Sequence, residues 1–153
     1  MEDAAEHDTD DAEQTGEIVT LTTDECWDLV SATTVGRLGF RDAEDDVQII
    51  PVNYQLDGEV IIRTSRTGIL AGLPGGPRVA FQIDHHGGGA GWSVLMHGRL
   101  IILGEDEAEA LHHPARVLPW AGGERDLLVR FSADDISGRR VRRIRNRTPR
   151  TAP

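Results

Sequence analysis

The sequence predicts a mainly β protein, a small β-barrel with added helices, and three observations carry that prediction. Aliphatic and β-branched residues recur in six or so short segments that alternate with polar residues, as half-buried strands do. Turn-forming residues separate those segments, Asp57-Gly58 most plainly. No regular strand–helix–strand alternation is present, which sets aside a parallel α/β sheet in favour of a small barrel.

Residues 1–17 carry eight acids, no base and no apolar periodicity, the pattern of a disordered acidic tail. Leu21 to Cys26 then reads as a helix start. Thr22 is the N-cap, Glu25 completes a capping box, and Leu21 packs on Cys26 as a hydrophobic staple. Cys26, Leu29, Val30 and Thr33 share one helical face, with Trp27 beside it as a packing residue. Val35 to Phe40 is a strand and Arg41 to Asp46 an acidic turn. Val47 to Leu56 and Glu59 to Thr64 form a hairpin, which Asp57-Gly58 would close as a type I′ turn.

Pro77 to Asp84 is a further strand and His85 to Gly89 a flexible loop. Gly91 to Leu103 is a long strand in which Gly98 marks a bulge or bend. Glu105 to His113 is helical and ends before Pro114, Pro119 to Gly123 is a turn, and Asp126 to Ser132 is the last strand. The expected domain therefore spans 18–141, with an Arg-rich tail at 142–153.

A chain of 153 residues with 39% hydrophobic content suffices for one domain with a sizeable core. It holds no apolar run long enough to span a bilayer. Its acidic start is the opposite of a signal peptide's basic one, so the expected location is the cytoplasm and no membrane partner is expected. The single cysteine, Cys26, excludes an internal disulfide. All 16 basic residues are arginine, and the absence of lysine rules out a Walker phosphate loop. Gly91-Trp92-Ser93-Val94-Leu95 lacks the second glycine of a nucleophile elbow. The adjacent pairs His85-His86 and His112-His113 diverge on either a strand or a helix, so neither is a natural chelate and no metal is expected. The body between the tails remains acidic, which argues against nucleic acid. The C-terminal arginines lack interleaved aromatics and read as a solvated tail.

Chemistry concentrates where the hairpin's second strand ends. Arg63, Thr64, Ser65, Arg66 and Thr67 precede a short apolar turn, Ile69 to Leu73, that Pro74 stops. Guanidinium forks, hydroxyls and free N–H groups at a helix start favour a phosphate dianion, although a solvated strand end reads equally from local pattern.

The segments VGRLGF (35–40), IIPVNYQLDGEVIIRTS (49–65), GWSVLMHGRL (91–100) and SGRRV (137–141), in that order and spacing, resemble the pyridoxamine 5′-phosphate oxidase-like family of flavin-binding split barrels. The resemblance runs from about Leu21 to Val141. It implies a split β-barrel of FMN-binding type and a homodimer with flavin mononucleotide (FMN) in the groove between subunits. It further implies flavin-dependent oxidoreductase activity on a small-molecule substrate. A non-catalytic carrier or sensor of FMN or the deazaflavin F420 is the alternative. On this resemblance Arg63 and Thr64 hold the flavin phosphate, with Ser65, Arg66 and Thr67 as further donors and Leu70 in the following turn. Pro51, Val52 and Asn53 lie beside the isoalloxazine ring, and the partner subunit places Trp92 and Ser93 against it. For Trp92, ordinary barrel packing is an equal alternative. Ile69 stands where many relatives have a phosphate-gripping lysine; Arg66 is the residue that could substitute.

Overall fold

A computed structural model of the chain describes residues 16–65, 67–111 and 127–143. The elements are β1 (Gly16–Thr20), α1 (Thr23–Ala32), β2 (Val35–Arg41), β3 (Val47–Asp57), β4 (Glu59–Thr64), β5 (Val79–Gly87), β6 (Ala90–Ile102), α2 (Glu105–Glu109) and β7 (Leu127–Arg143). The strands form one antiparallel sheet in the order β1-β7-β4-β3-β2-β5-β6, and a further pairing of β6 with β7 closes it into a barrel. Closure removes the free edges that an open sheet would expose. The fold is the expected split barrel.

β7 is the strand that splits. Its first five residues, Leu127 to Phe131, pair with β4 on one side, and its last five, Arg139 to Arg143, pair with β1 instead. β6 accompanies it along most of its length, with the register shift at His97/Gly98 that the sequence predicts. A Cβ on Gly98 would run into the Ser132 carbonyl oxygen, so the bulge requires glycine.

Inside, Tyr54 meets Phe81 edge-on at 5.1 Å, and Phe81 lies 5.7 Å from Phe131. Leu38, Ile62, Ile83, Val94, Met96, Leu100 and Val129 fill the space around them. Alternation along each strand supplies these residues, and burial of this apolar surface drives the closure. The helix α1 begins with the expected capping box, Thr22 Oγ1 accepting from Glu25 N and Glu25 Oε2 from Thr22 N. Its buried residues Cys26 and Val30 pack on the barrel. Cys26 Sγ and Leu21 Cδ1 both lie against Gly138 of β7, where a Cβ would sit 2.7 and 3.0 Å from them. The staple is thus built on a glycine of the last strand. Among the described residues, no helix is long and apolar enough to cross a membrane.

Several boundaries differ from expectation. Gly16 and Glu17 belong to β1, not to the acidic tail, and Arg142 and Arg143 belong to β7, not to the basic one. The two ends pair with each other, Glu17 opposite Arg142 with their charges 3.7 Å apart. Ladder bonds and opposite charge order residues that composition alone marks as solvated. The expected last strand stops at Ser132, yet β7 continues to Arg143 because β6 offers it a partner past the bulge. The loop expected over His85–Gly89 shrinks to a two-residue turn. Gly88 and Gly89 take φ of 59° and 81°, as a tight hairpin needs, so His85 to Gly87 stay in β5.

At the β3–β4 hairpin only Gly58 has positive φ, with Asp57 opposite Glu59, so the turn is not type I′. The helix expected over Glu105–His113 ends at Glu109. His112, His113, Pro114, the turn at 119–123 and both outer tails lie outside the described residues.

Candidate functional site

The β3–β4 hairpin fixes the first part of the site. Tyr54 pairs with Ile62 as the last pair of that ladder; Val52 and Asn53 precede it on β3, and Arg63 and Thr64 follow it at the end of β4 farthest from the turn. On the other side of β3, Pro51, Val52 and Asn53 pair with Arg37, Gly36 and Val35 of β2. The strand period turns Val52, Tyr54, Ile62 and Thr64 into the barrel and leaves Pro51 exposed, with Asn53 and Arg63 half-buried. Seven of the predicted residues, Pro51 to Asn53 and Arg63, Thr64, Ser65 and Thr67, thus lie on the adjacent strands β3 and β4 or directly after β4. Arg66 lies outside the described residues.

Two features of this corner are unusual for a solvated strand end. Thr64 is 3% exposed, a hydroxyl held among apolar residues. Arg63 Nε is buried and has no hydrogen-bond partner among the described residues. An unmet buried donor costs roughly 1–3 kcal/mol, and more on a charged group. Past Thr64 the chain makes successive turns, not the expected helix start, so no helix dipole faces a ligand here. Ser65 Oγ accepts from Thr67 N at 3.1 Å and lies 3.1 Å from Thr67 Oγ1, and Gly68 N donates to Ser65 O. A Cβ on Gly68 would make ordinary contacts, 3.4 Å from Thr64 Oγ1 and 3.7 Å from Ser65 Oγ, so this glycine lies against both hydroxyls.

The following turn divides inward and outward. Leu70 is buried in the core and anchors the turn, with Leu73 beside it. Ile69 is exposed and lines a separate groove of about 470 Å³ with Phe40, Arg41, Leu73 and Pro77. It brings no charge to the Arg63 corner.

Trp92 and Ser93 are elsewhere. On β6 they face His85 and Asp84 of β5 and Arg140 and Arg139 of β7. Both line a cavity of about 860 Å³ that no residue of the Arg63 corner borders. Within one chain the two halves of the expected site are not brought together.

Between them runs the outward face of β3, β2, β5 and β6. Pro51, Arg37, Gln82 and Leu95 lie in one row across it, and Ile49, Gly39, Ala80 and His97 in the next. Arg37 donates to Asp84 at 2.7 Å and to Gln82 at 3.2 Å, and the first of these bonds holds the Asp84 carboxyl below the ordinary aspartate value. Exposed Val35, Ile49 and Leu95 surround that pair.

Sequence reading missed the basic side of the large cavity, where Arg139 and Arg143 stand with His86 and Ile18. The legible signal was the alternation from Ser137 to Arg143, of which the last two residues were assigned to the tail because of its charge. At the β2–β3 turn, Asp42, Glu44 and Asp46 bring carboxylate oxygens within 4.8 Å of one another. Asp42 there accepts from Glu44 N, Asp46 N and Gln48 Nε2, the bonds of a tight turn.

Known proteins share this fold. An FAD-binding protein of Mycobacterium smegmatis is 27% identical over 80% of this chain and 98% of its own, with a TM-score of 0.68. The conserved protein DIP1874 of Corynebacterium diphtheriae is 29% identical over 80% of this chain and 96% of its own, with a TM-score of 0.65. In sequence, Rv3129 of Mycobacterium tuberculosis is 31% identical over 83 residues, 54% of this chain and 76% of that protein. A family model described as pyridoxamine 5′-phosphate oxidase matches residues 22–140, from the cap of α1 into the outer half of β7. On that match and this barrel, the chain belongs to the pyridoxamine 5′-phosphate oxidase family.

Proposed function

We propose that the chain binds a flavin, FMN in the first instance, with its phosphate at the end of β4. The observation that carries this is the buried Arg63 Nε, unpartnered among the described residues, at the end of β4 where Thr64 is itself buried and Gly68 adjoins its hydroxyl. A phosphate oxygen supplies the acceptor that this donor lacks. Ser65 and Thr67 add hydroxyl donors, Arg66 adds a second cation, and Leu70 holds the turn from beneath. Pro51, Val52 and Asn53 form the wall for the ring. That the FAD-binding M. smegmatis protein shares 27% identity over nearly its whole length supports a flavin, and makes FAD the first competitor of FMN.

The reading includes a homodimer in the cytoplasm. Trp92 and Ser93 cannot reach the Arg63 corner of their own chain, so a second copy brings them. The flat face around Arg37, Gly39 and Ala80, edged by exposed Val35, Ile49 and Leu95, suits that contact. A bound flavin supplies hydride and electron transfer; the chain binds it, orients it and shields it from water. On this reading the protein is a flavin-dependent oxidoreductase acting on a small molecule.

A second reading is a carrier or sensor of FMN or of F420. It is favoured by the corner itself, where Arg63 is the sole titratable side chain among its described residues, so none stands ready as acid or base. Titrating the purified chain with FMN, FAD and F420 tests ligand choice, and light scattering during the titration tests the dimer. Submicromolar FMN binding to a dimer supports the proposal, and absence of binding by all three contradicts it. Turnover of NAD(P)H by the loaded protein then separates oxidoreductase from carrier.

A further inference from the structure

The large cavity lies between β1, the turn joining β5 to β6, and the outer half of β7. Its volume, about 860 Å³, is that of a small-molecule site. The lining is sharply divided by chemistry. Ile18, Val141 and Trp92 provide apolar walls, and Arg139, Arg143 and His86 provide a basic rim. Among the described residues, no carboxylate borders it. In a chain of net charge −10 this is a local reversal of sign, and the acids closest in register are turned to other partners. Asp84 is held by Arg37 at 2.7 Å, with its second oxygen 3.5 Å from Nε2 of the rim's His86, while Glu17 faces Arg142, whose neighbours on β7 alternate to the other side.

The basic groups are also seated. The Arg143 side chain lies across Gly89, where a Cβ would come within 2.9 Å of its Cδ, and the His86 ring lies across Gly91, where a Cβ would come within 2.8 Å of Nδ1. Two glycines of the hairpin thus give these side chains fixed shelves, which lowers the entropy lost when they grip a ligand. Arg139 and Arg143 make no ion pair among the described residues. Guanidinium forks without an ion pair among the described residues, above an apolar floor, match a planar oxyanion on an apolar body.

We infer that this cavity binds an amphipathic oxyanion, a carboxylate or phosphate head carried on an apolar body, at a site separate from the Arg63 corner. If the flavin reading holds, Trp92 and Ser93 place this molecule beside the ring as the substrate, but binding itself does not depend on that reading. Calorimetry on the full-length, flavin-free chain tests it with 2-naphthoate, 2-naphthyl phosphate and the neutral 2-naphthamide as probes. At least one anion binds at least about tenfold more tightly than the amide, and comparing the two anions identifies the head group. R143Q and R139Q each lower anion affinity about tenfold without changing that of the amide, whereas R78Q, outside the cavity, changes neither. Circular dichroism shows which variants fold, and Arg139, exposed on its strand, keeps the test open should R143Q not fold.

Failure of every probe to bind, equal affinity for acid and amide, or full anion binding by both folded arginine variants overturns the inference. So does one-for-one displacement of naphthoate by FMN, which would assign the cavity to the flavin. Tighter binding of pyridoxal 5′-phosphate, whose ring is polar, than of naphthyl phosphate overturns the apolar-body assignment. FMN binding without anion binding would leave the flavin reading intact, so the two failures are distinguishable.

Discussion

The Tyr54 hydroxyl donates a 2.6 Å hydrogen bond to the carbonyl oxygen of Val30, and the Thr33 hydroxyl meets the same phenol. Val30 lies in the last turn of α1, where carbonyls have no intrahelical partner, so a strand residue caps the helix from inside the barrel. Burial pushes the Tyr54 phenol above its ordinary value, in keeping with a donor held in place. Tyr54→Phe keeps the ring on Phe81 but leaves that carbonyl only the long 3.5 Å bond from Thr33 Oγ1. Urea unfolding should show a loss of about 1–3 kcal/mol, and the proposed flavin site, which begins one residue away at Asn53, should bind FMN more weakly as well. An unchanged midpoint would show that the bond contributes nothing.

Gly138 should tolerate a methyl group poorly. Its Cβ would meet Cys26 Sγ and Leu21 Cδ1, so Gly138→Ala must push α1 off β7, at about 1–3 kcal/mol. Cys26 reports the displacement. Burial raises its thiol pKa and shields it, so a thiol reagent should label the native protein slowly and the variant faster. Equal labelling rates would contradict the packing described.

Acid should destabilise the barrel in a defined window. The Asp84 carboxyl is held low chiefly by the Arg37 hydrogen bond, Asp135 by His97, and Asp42 by Gln48. Carboxylates depressed in the fold contribute stability above their ordinary value of 3.8, and that contribution is lost as pH falls through and below it. Thermal midpoints measured from pH 6 down to about pH 2.5 should decline below about pH 4. In the Asp84→Asn, Asp135→Asn double variant the slope should be shallower. A parallel decline in both proteins would place the acid sensitivity elsewhere.

Ile69 separates an intact phosphate site from an incomplete one. Its side chain lines the groove beside Phe40 and Arg41, away from Thr64. Ile69→Lys should therefore change FMN affinity by no more than about threefold, as a titration would read. A tenfold gain would mean that the turn swings its side chain into the Arg63 corner and that the site lacks a cation.

The barrel was legible in sequence because alternation, the capping box and the Gly98 bulge are local signals with local causes. The hairpin around Gly58 was legible too, though its turn type was not, since Asp57 stays in the ladder opposite Glu59. The long-range pairings were hidden. Glu17 and Arg142 each look solvated until β1 and β7 bring them together, and nothing near either predicts the other. The same blindness concealed the basic rim of the large cavity, where Arg143 counts as a tail residue until Gly89 is seen beneath it. At the Arg63 corner the residue types were readable, but the burial of Arg63 Nε depends on strand packing and was not.

The most direct test is FMN affinity set against riboflavin affinity in Arg63→Ala. Riboflavin has the same ring and no phosphate, so the comparison isolates the contact at the end of β4. Losing a charge-assisted bond of about 1.5–3 kcal/mol should weaken FMN by roughly ten- to a hundredfold while riboflavin affinity stays put. Unaltered FMN affinity, or an equal loss for both ligands, would contradict a phosphate held by Arg63.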